Sequence, residues 1–98
     1  MPRITMAFQV IPFIEEARIY EAVDAAIAVV AQSGVPYEVG PLETTMEGEP
    51  DQLWLIIRQA QEACLQAGAS RVLTNIKIDY VPTGSTIDEK IAKYRGKS

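Results

Sequence analysis

Two hydrophobic periods alternate along this chain, and their order leaves few folds open. Ile4, Met6, Phe8 and Val10 interleave with Thr5, Ala7 and Gln9, the period of two expected of a strand with one buried face. From about Ala17 to Ser33 the period lengthens, and Ile19, Val23, Ala26, Ile27 and Val30 fall on one helical stripe. Glu15 and Glu16 lie near the positive end of that helix, and Gly34 follows its other end. Pro12, between the two segments, is expected to end the strand.

The same switch then recurs. Tyr37 to Val39 and Leu42 to Met46 read as short strands joined at Gly40-Pro41, a turn pair that lacks one amide donor. Pro50 suits a first helical position, and Leu53, Ile56, Ile57, Ala60 and Cys64 form the next stripe before Gly68 closes it. Val72 to Tyr80 is a second long strand, broken by Pro82-Thr83-Gly84-Ser85. Thr86 with Glu89 makes a capping box for a closing helix, whose apolar edge is Ile87, Ile91 and Tyr94.

The element order is therefore βαββαβ plus a terminal helix. Ala31-Gln32-Ser33-Gly34-Val35 is echoed by Leu65-Gln66-Ala67-Gly68-Ala69, 34 positions later, and each segment leads from a helix into a strand. Together these features predict two βαβ halves in the split arrangement of a ferredoxin-like α+β sandwich. The expected sheet is antiparallel with strand order 4-1-3-2, and both helices cover one face. At 98 residues the chain is expected to form one domain, 1–98.

Composition removes several classes of function. A net charge of −4 argues against nucleic acid, since phosphate binding needs clustered Lys and Arg, and only the tail from Lys90 to Lys97 is basic. The sequence holds no histidine, which excludes Ser-His-Asp and Cys-His nucleophiles and the commonest transition-metal ligand. No glycine loop of phosphate-binding spacing occurs, and no cofactor is expected. Ala25 to Ala31, the longest nearly apolar run, is too short to span a bilayer. Cys64 is the single cysteine and falls on a buried stripe, so it reads as inert core in a reducing cytoplasm.

What remains is the helix-free face of the sheet. If Ile4, Met6, Phe8 and Val10 face the helices, then Thr5, Ala7 and Gln9 face away, as do Leu73, Asn75, Lys77 and Asp79 on the last strand. Glu43, Thr45 and Glu47 join them if Leu42, Thr44 and Met46 turn inward. Gln9, Glu43, Thr45, Asn75 and Lys77 then converge. A solvated face with a cross-strand Glu43–Lys77 pair is the plain reading of that cluster. Two features point further. Asn is disfavoured within strands, and Ala7 with Leu73 leaves a small apolar floor among the donors and acceptors. Trp54 lies off the centre of the second stripe, where the terminal helix or a second subunit would cover it, and Leu55 points to solvent.

Gln9-Val10-Ile11-Pro12, the segment Tyr37 to Gly48, Thr74 to Tyr80 and Thr86 to Lys90 resemble, in order and spacing, the thiamine-binding protein family of bacteria and archaea. The resemblance covers essentially the whole chain. It implies a ferredoxin-like fold, assembly into dimers or tetramers, and binding of thiamine or its hydroxymethylpyrimidine moiety without catalysis. An aminopyrimidine presents an amino donor and ring-nitrogen acceptors, which suit Gln9, Glu43, Thr45 and Asn75. The thiazolium is a permanent cation that carboxylates and an aromatic face such as Phe13 or Tyr80 would favour. Lys77 would repel it unless paired with Glu43 or Asp79, or would favour a phosphorylated form. Two other readings stay open: a carboxylate enzyme using Glu43 or Asp79 on a related heterocycle, and a sheet surface that serves only to join subunits or partners.

Overall fold

A computed structural model, which describes residues 3–81, shows four strands and two main helices. They are β1 (Ile4–Phe13), α1 (Ile19–Gln32), β2 (Tyr37–Val39), β3 (Thr44–Gly48), α2 (Pro50–Gln66) and β4 (Arg71–Asp79). The strands form one antiparallel sheet in the order β2-β3-β1-β4, which is the expected 4-1-3-2 read from its other edge. The fold is the ferredoxin-like α+β arrangement. The expected closing helix from Thr86 lies outside the described residues.

Two boundaries differ from the expectation for an identifiable local reason, and β4 is shifted by one residue, to Arg71–Asp79. β1 does not stop at Pro12 but runs on to Phe13, with Pro12 opposite Val72. β3 pairs with β1 only as far as Phe8, so beyond that point β1 has no partner on that side among the described residues, and a missing amide there costs no ladder bond. β3 begins at Thr44 rather than Leu42. The Gly40 amide donates to the Glu43 carbonyl at 2.9 Å, which holds Leu42 and Glu43 in the turn. A single 3-10 turn, Glu16–Arg18, precedes α1.

Alternation on β1 builds the core. Ile4, Met6 and Phe8 are buried against Met46 of β3, Leu53, Ile56, Ile57, Ala60 and Cys64 of α2, and Ala26 and Val30 of α1. The most buried line of α1 is Ala22, Ala26 and Val30, one position round from the stripe its larger residues suggested. The two alanines let the helices approach closely enough for the Cys64 thiol to lie 3.5 Å from the Ala22 carbonyl. Ile19, Val23 and Ile27 are displaced to the flank, where they stay half-buried.

The two echoing helix ends close differently. After α2, the Gly68 amide donates to the Leu65 carbonyl and the Ala69 amide to that of Cys64, which is a Schellman closure, with Gly68 at φ +114°. Arg18 caps the same end by donating from Nη2 to the Ala67 carbonyl at 2.6 Å. It also pairs with Glu21 at 3.1 Å, and that hydrogen bond and charge hold the Glu21 carboxyl below the usual carboxylate range. After α1, Ser33 does the work instead: its hydroxyl donates to the Val30 carbonyl and accepts from the Val35 amide.

A methyl group at Gly34 (φ +86°) would meet nothing within 4 Å, whereas one at Gly68 would lie 2.9 Å from Arg18 Nη1. Gly34→Ala should therefore carry only the backbone penalty of ~1 to 2 kcal/mol, and Gly68→Ala a larger loss because it also displaces a helix cap. Urea unfolding of the two variants measures the difference. Equal losses would show that the Arg18 cap adds nothing at this site.

Candidate functional site

The register decides which side chains share the helix-free face. Met46 is fully buried and Thr44 nearly so, which turns Thr45 and Glu47 outward. Across the sheet Glu38 stands opposite Thr45, Thr45 opposite Ala7, and Ala7 opposite Lys77, while Gln9 stands opposite Asn75 on the next outward row. On β4 the Thr74 hydroxyl accepts a bond from Gln61 of α2 at 2.8 Å, which confirms that the even-numbered residues face the helices. Thr5 and Glu47 are buried at the far end of the outer face, so the accessible part lies towards Gln9.

There the chain leaves a hollow of about 250 Å3 lined by Gln9, Leu42, Glu43, Asn75 and Lys77. Its origin is the length mismatch between strands. β3 parts from β1 after the Phe8–Thr44 pair, and the 40–43 turn swings away while β1 and β4 continue together to Phe13 and Arg71. The hollow's polar groups are already linked in pairs. The Asn75 amide donates from Nδ2 to Gln9 Oε1 at 3.3 Å, and Lys77 Nζ lies 2.6 Å from Glu43 Oε1. Lys77 reaches Glu43 across β1, over the short side chain of Ala7. Within the pair the Lys77 side chain is 78% exposed and that of Glu43 30%, so the ammonium sits at the rim and the carboxylate against the wall.

Four of the five residues singled out in the sequence thus meet around one hollow. Thr45 does not line it. It borders a neighbouring recess of about 490 Å3 with Glu38, Val39 and Pro41, and Leu42 and Glu43 line both openings. A third opening, about 200 Å3, lies on the helix side of the same turn between Val10, Val23, Ile27 and Val39. The turn from Gly40 to Glu43 therefore borders all three openings, with Leu42 76% exposed. Sequence reasoning placed Leu42 inside a strand and missed it as a rim residue. The adjacent Gly40-Pro41 was the available signal, because a chain turning there leaves no strand for Leu42 to occupy.

Elsewhere the chemistry is sparse. No cluster of His, Cys, Asp and Glu able to hold a metal occurs among the described residues, and no helix there is long and apolar enough to cross a membrane. Cys64 is fully buried, and burial pushes its thiol pKa up, away from the reactive thiolate. It should react with a thiol reagent on the order of 100-fold more slowly in the folded protein than in urea, followed by absorbance. Rapid labelling of the folded chain would contradict its placement in the core.

The fold and this face define a small α+β sandwich that carries on its open sheet a hollow lined by four polar residues and Leu42, with neither Ala7 nor Leu73, the expected apolar floor, in its lining. The chain belongs to the thiamine-binding protein family, whose profile matches residues 6–95. A UPF0045 protein of Clostridium perfringens is 46% identical over 97% of this chain and 100% of its own length. Among solved structures, a domain of unknown function, DUF77, from Bacillus cereus superposes with a TM-score of 0.92 at 55% identity, covering 96% of this chain and 91% of its own. A Thermotoga maritima protein provisionally assigned to thiamine biosynthesis or salvage superposes at 0.88 with 37% identity, over 96% of this chain and all of its own. Together these likenesses support a thiamine-related role.

Proposed function

We propose that this protein, as one domain over residues 1–98, binds thiamine or its hydroxymethylpyrimidine moiety without converting it. In this reading it does so as a homo-oligomer in the cytoplasm, in salvage, buffering or delivery. The observation that carries the reading is the meeting of Gln9, Glu43, Asn75 and Lys77 around one hollow in a chain of this family. Asn75 and Gln9 offer amide donors and acceptors to an aminopyrimidine edge, Glu43 accepts from its amino group, and Thr45 serves the ligand from the neighbouring recess. The Glu43 pairing of Lys77 removes the repulsion a free ammonium would exert on a thiazolium.

The hollow's size supports the oligomeric part. At about 250 Å3 and open to one side, it can cover one face of a ring, whereas ligand sites enclose most of their ligand's surface. A second subunit would supply the opposite wall.

Calorimetric titration with thiamine and with hydroxymethylpyrimidine should give saturable binding. Asn75→Ala and Thr45→Ala should each weaken it about tenfold, the equivalent of one hydrogen bond lost to a bound ligand. Undiminished affinity in both variants would move the site elsewhere. Incubated thiamine and its fragments should emerge unchanged by mass spectrometry, and turnover would replace this reading with an enzymatic one.

A further inference from the structure

Two adjoining openings on the outer face differ in charge. In the hollow of about 250 Å3, Asn75 is bonded to Gln9 and the Lys77 ammonium is matched by the Glu43 carboxylate. The recess beside it, about 490 Å3, is lined by Glu38, Glu43 and Thr45 and by an apolar wall of Val39, Pro41 and Leu42. No Lys or Arg lines the recess among the described residues. Leu42 and Glu43 border both openings, which therefore meet along the 40–43 turn.

The register sets the spacing between the two parts. Lys77, Ala7, Thr45 and Glu38 stand in one outward row across β4, β1, β3 and β2. Neighbouring strands lie ~4.8 Å apart, so Glu38 stands about one strand beyond Thr45, on the side away from β4. Two aromatic rings joined by a single carbon are separated by a comparable distance. A ligand of that build can rest one ring in the hollow and the other in the recess.

We infer that the recess is the subsite for the cationic ring of the ligand, and that the site takes free thiamine in preference to a neutral isostere or a phosphate ester. This rests on the reading of the hollow given above and extends it to the second ring. The reverse placement would set the cation beside Lys77 and the donors and acceptors of the pyrimidine against Val39, Pro41 and Leu42. In the recess the flat thiazolium lies along that apolar wall and meets Glu38, the carboxylate that Lys77 does not match. Glu38 already makes another contact, and a carboxylate with about four lone-pair sites can keep it and still face the recess. The hydroxyethyl arm is carried by the thiazolium, so a phosphate on it would enter the same carboxylate-lined space, where like charge opposes it.

Calorimetric titration with four probes tests this: thiamine, hydroxymethylpyrimidine, thiamine monophosphate, and a neutral isostere in which carbon replaces the thiazolium nitrogen. Because Glu38 is exposed, the wild type should prefer thiamine to the isostere by about fivefold, the upper range for a solvated charge pair. Added salt should shrink that preference. Glu38→Gln should abolish it, while the affinity for hydroxymethylpyrimidine changes by less than about twofold. The monophosphate should bind more weakly than thiamine to the wild type, and the gap should narrow in Glu38→Gln.

Equal affinity of the wild type for thiamine and the isostere overturns the inference, and that measurement needs no variant to fold. A preference that survives in Glu38→Gln, shown folded by circular dichroism, does the same, as does a monophosphate that binds more tightly than thiamine. In each of these cases the hollow keeps its reading if hydroxymethylpyrimidine binds and Asn75→Ala weakens it. If none of the four probes binds, the proposed function and the recess fall together.

Discussion

β1 has ten residues, the strand on one side of it has five, and the strand on the other has nine. This inequality at the centre of the sheet sets the rest of the molecule. Where all three strands overlap, the inward residues of β1 reach the core and the outward ones form a closed face, with Thr5 and Glu47 buried. Where β3 gives out, β1 and β4 continue as a two-stranded ribbon, and the turn before β3 stands off from it. A concave site needs a break in the sheet surface, and the shorter strand provides it at Gln9.

The mismatch also explains why Asn75 is tolerated in mid-strand. Asn is normally poor there because its side chain competes for local backbone groups. Here the amide is engaged by Gln9 from the neighbouring strand, at the row where β3 no longer contributes a side chain from within its ladder. Ala7 performs a related service one row away. A larger residue at that position would block the path by which Lys77 reaches Glu43, two strands distant. The charge pattern of the hollow thus depends on a small residue that touches no ligand in the proposed mode.

Most of this was legible in the residues. The period of β1, the two helical stripes and the order of elements together define the topology, because a βαββαβ chain has few unknotted ways to close. The facing of Gln9, Asn75 and Lys77 followed from strict alternation on two long strands. The phase of β3 was harder, since five residues with threonine on both faces carry little periodic signal, and the burial of Met46 decided it. What alternation cannot express is where one strand ends relative to its neighbour. For that reason Pro12 was read as a terminus, Leu42 as an inward strand residue, and Thr45 as part of the same hollow as Asn75.

The ion pair between Lys77 and Glu43 illustrates how such an arrangement can serve recognition without serving stability. With the ammonium largely in water, the pair gains little Coulomb energy and orders two long side chains, so its contribution to folding is close to nothing. Its effect is positional. Glu43 precedes β3 on a turn closed by one hydrogen bond from Gly40, and the lysine draws its carboxylate over the sheet rather than leaving it to solvent. The same contact cancels the cation, Lys77, that lines the hollow among the described residues. In the proposed mode, this weak surface pair brings an acceptor to the edge of the hollow and neutralises the lysine beside it, so that hydrogen-bond geometry, more than net charge, would select what enters.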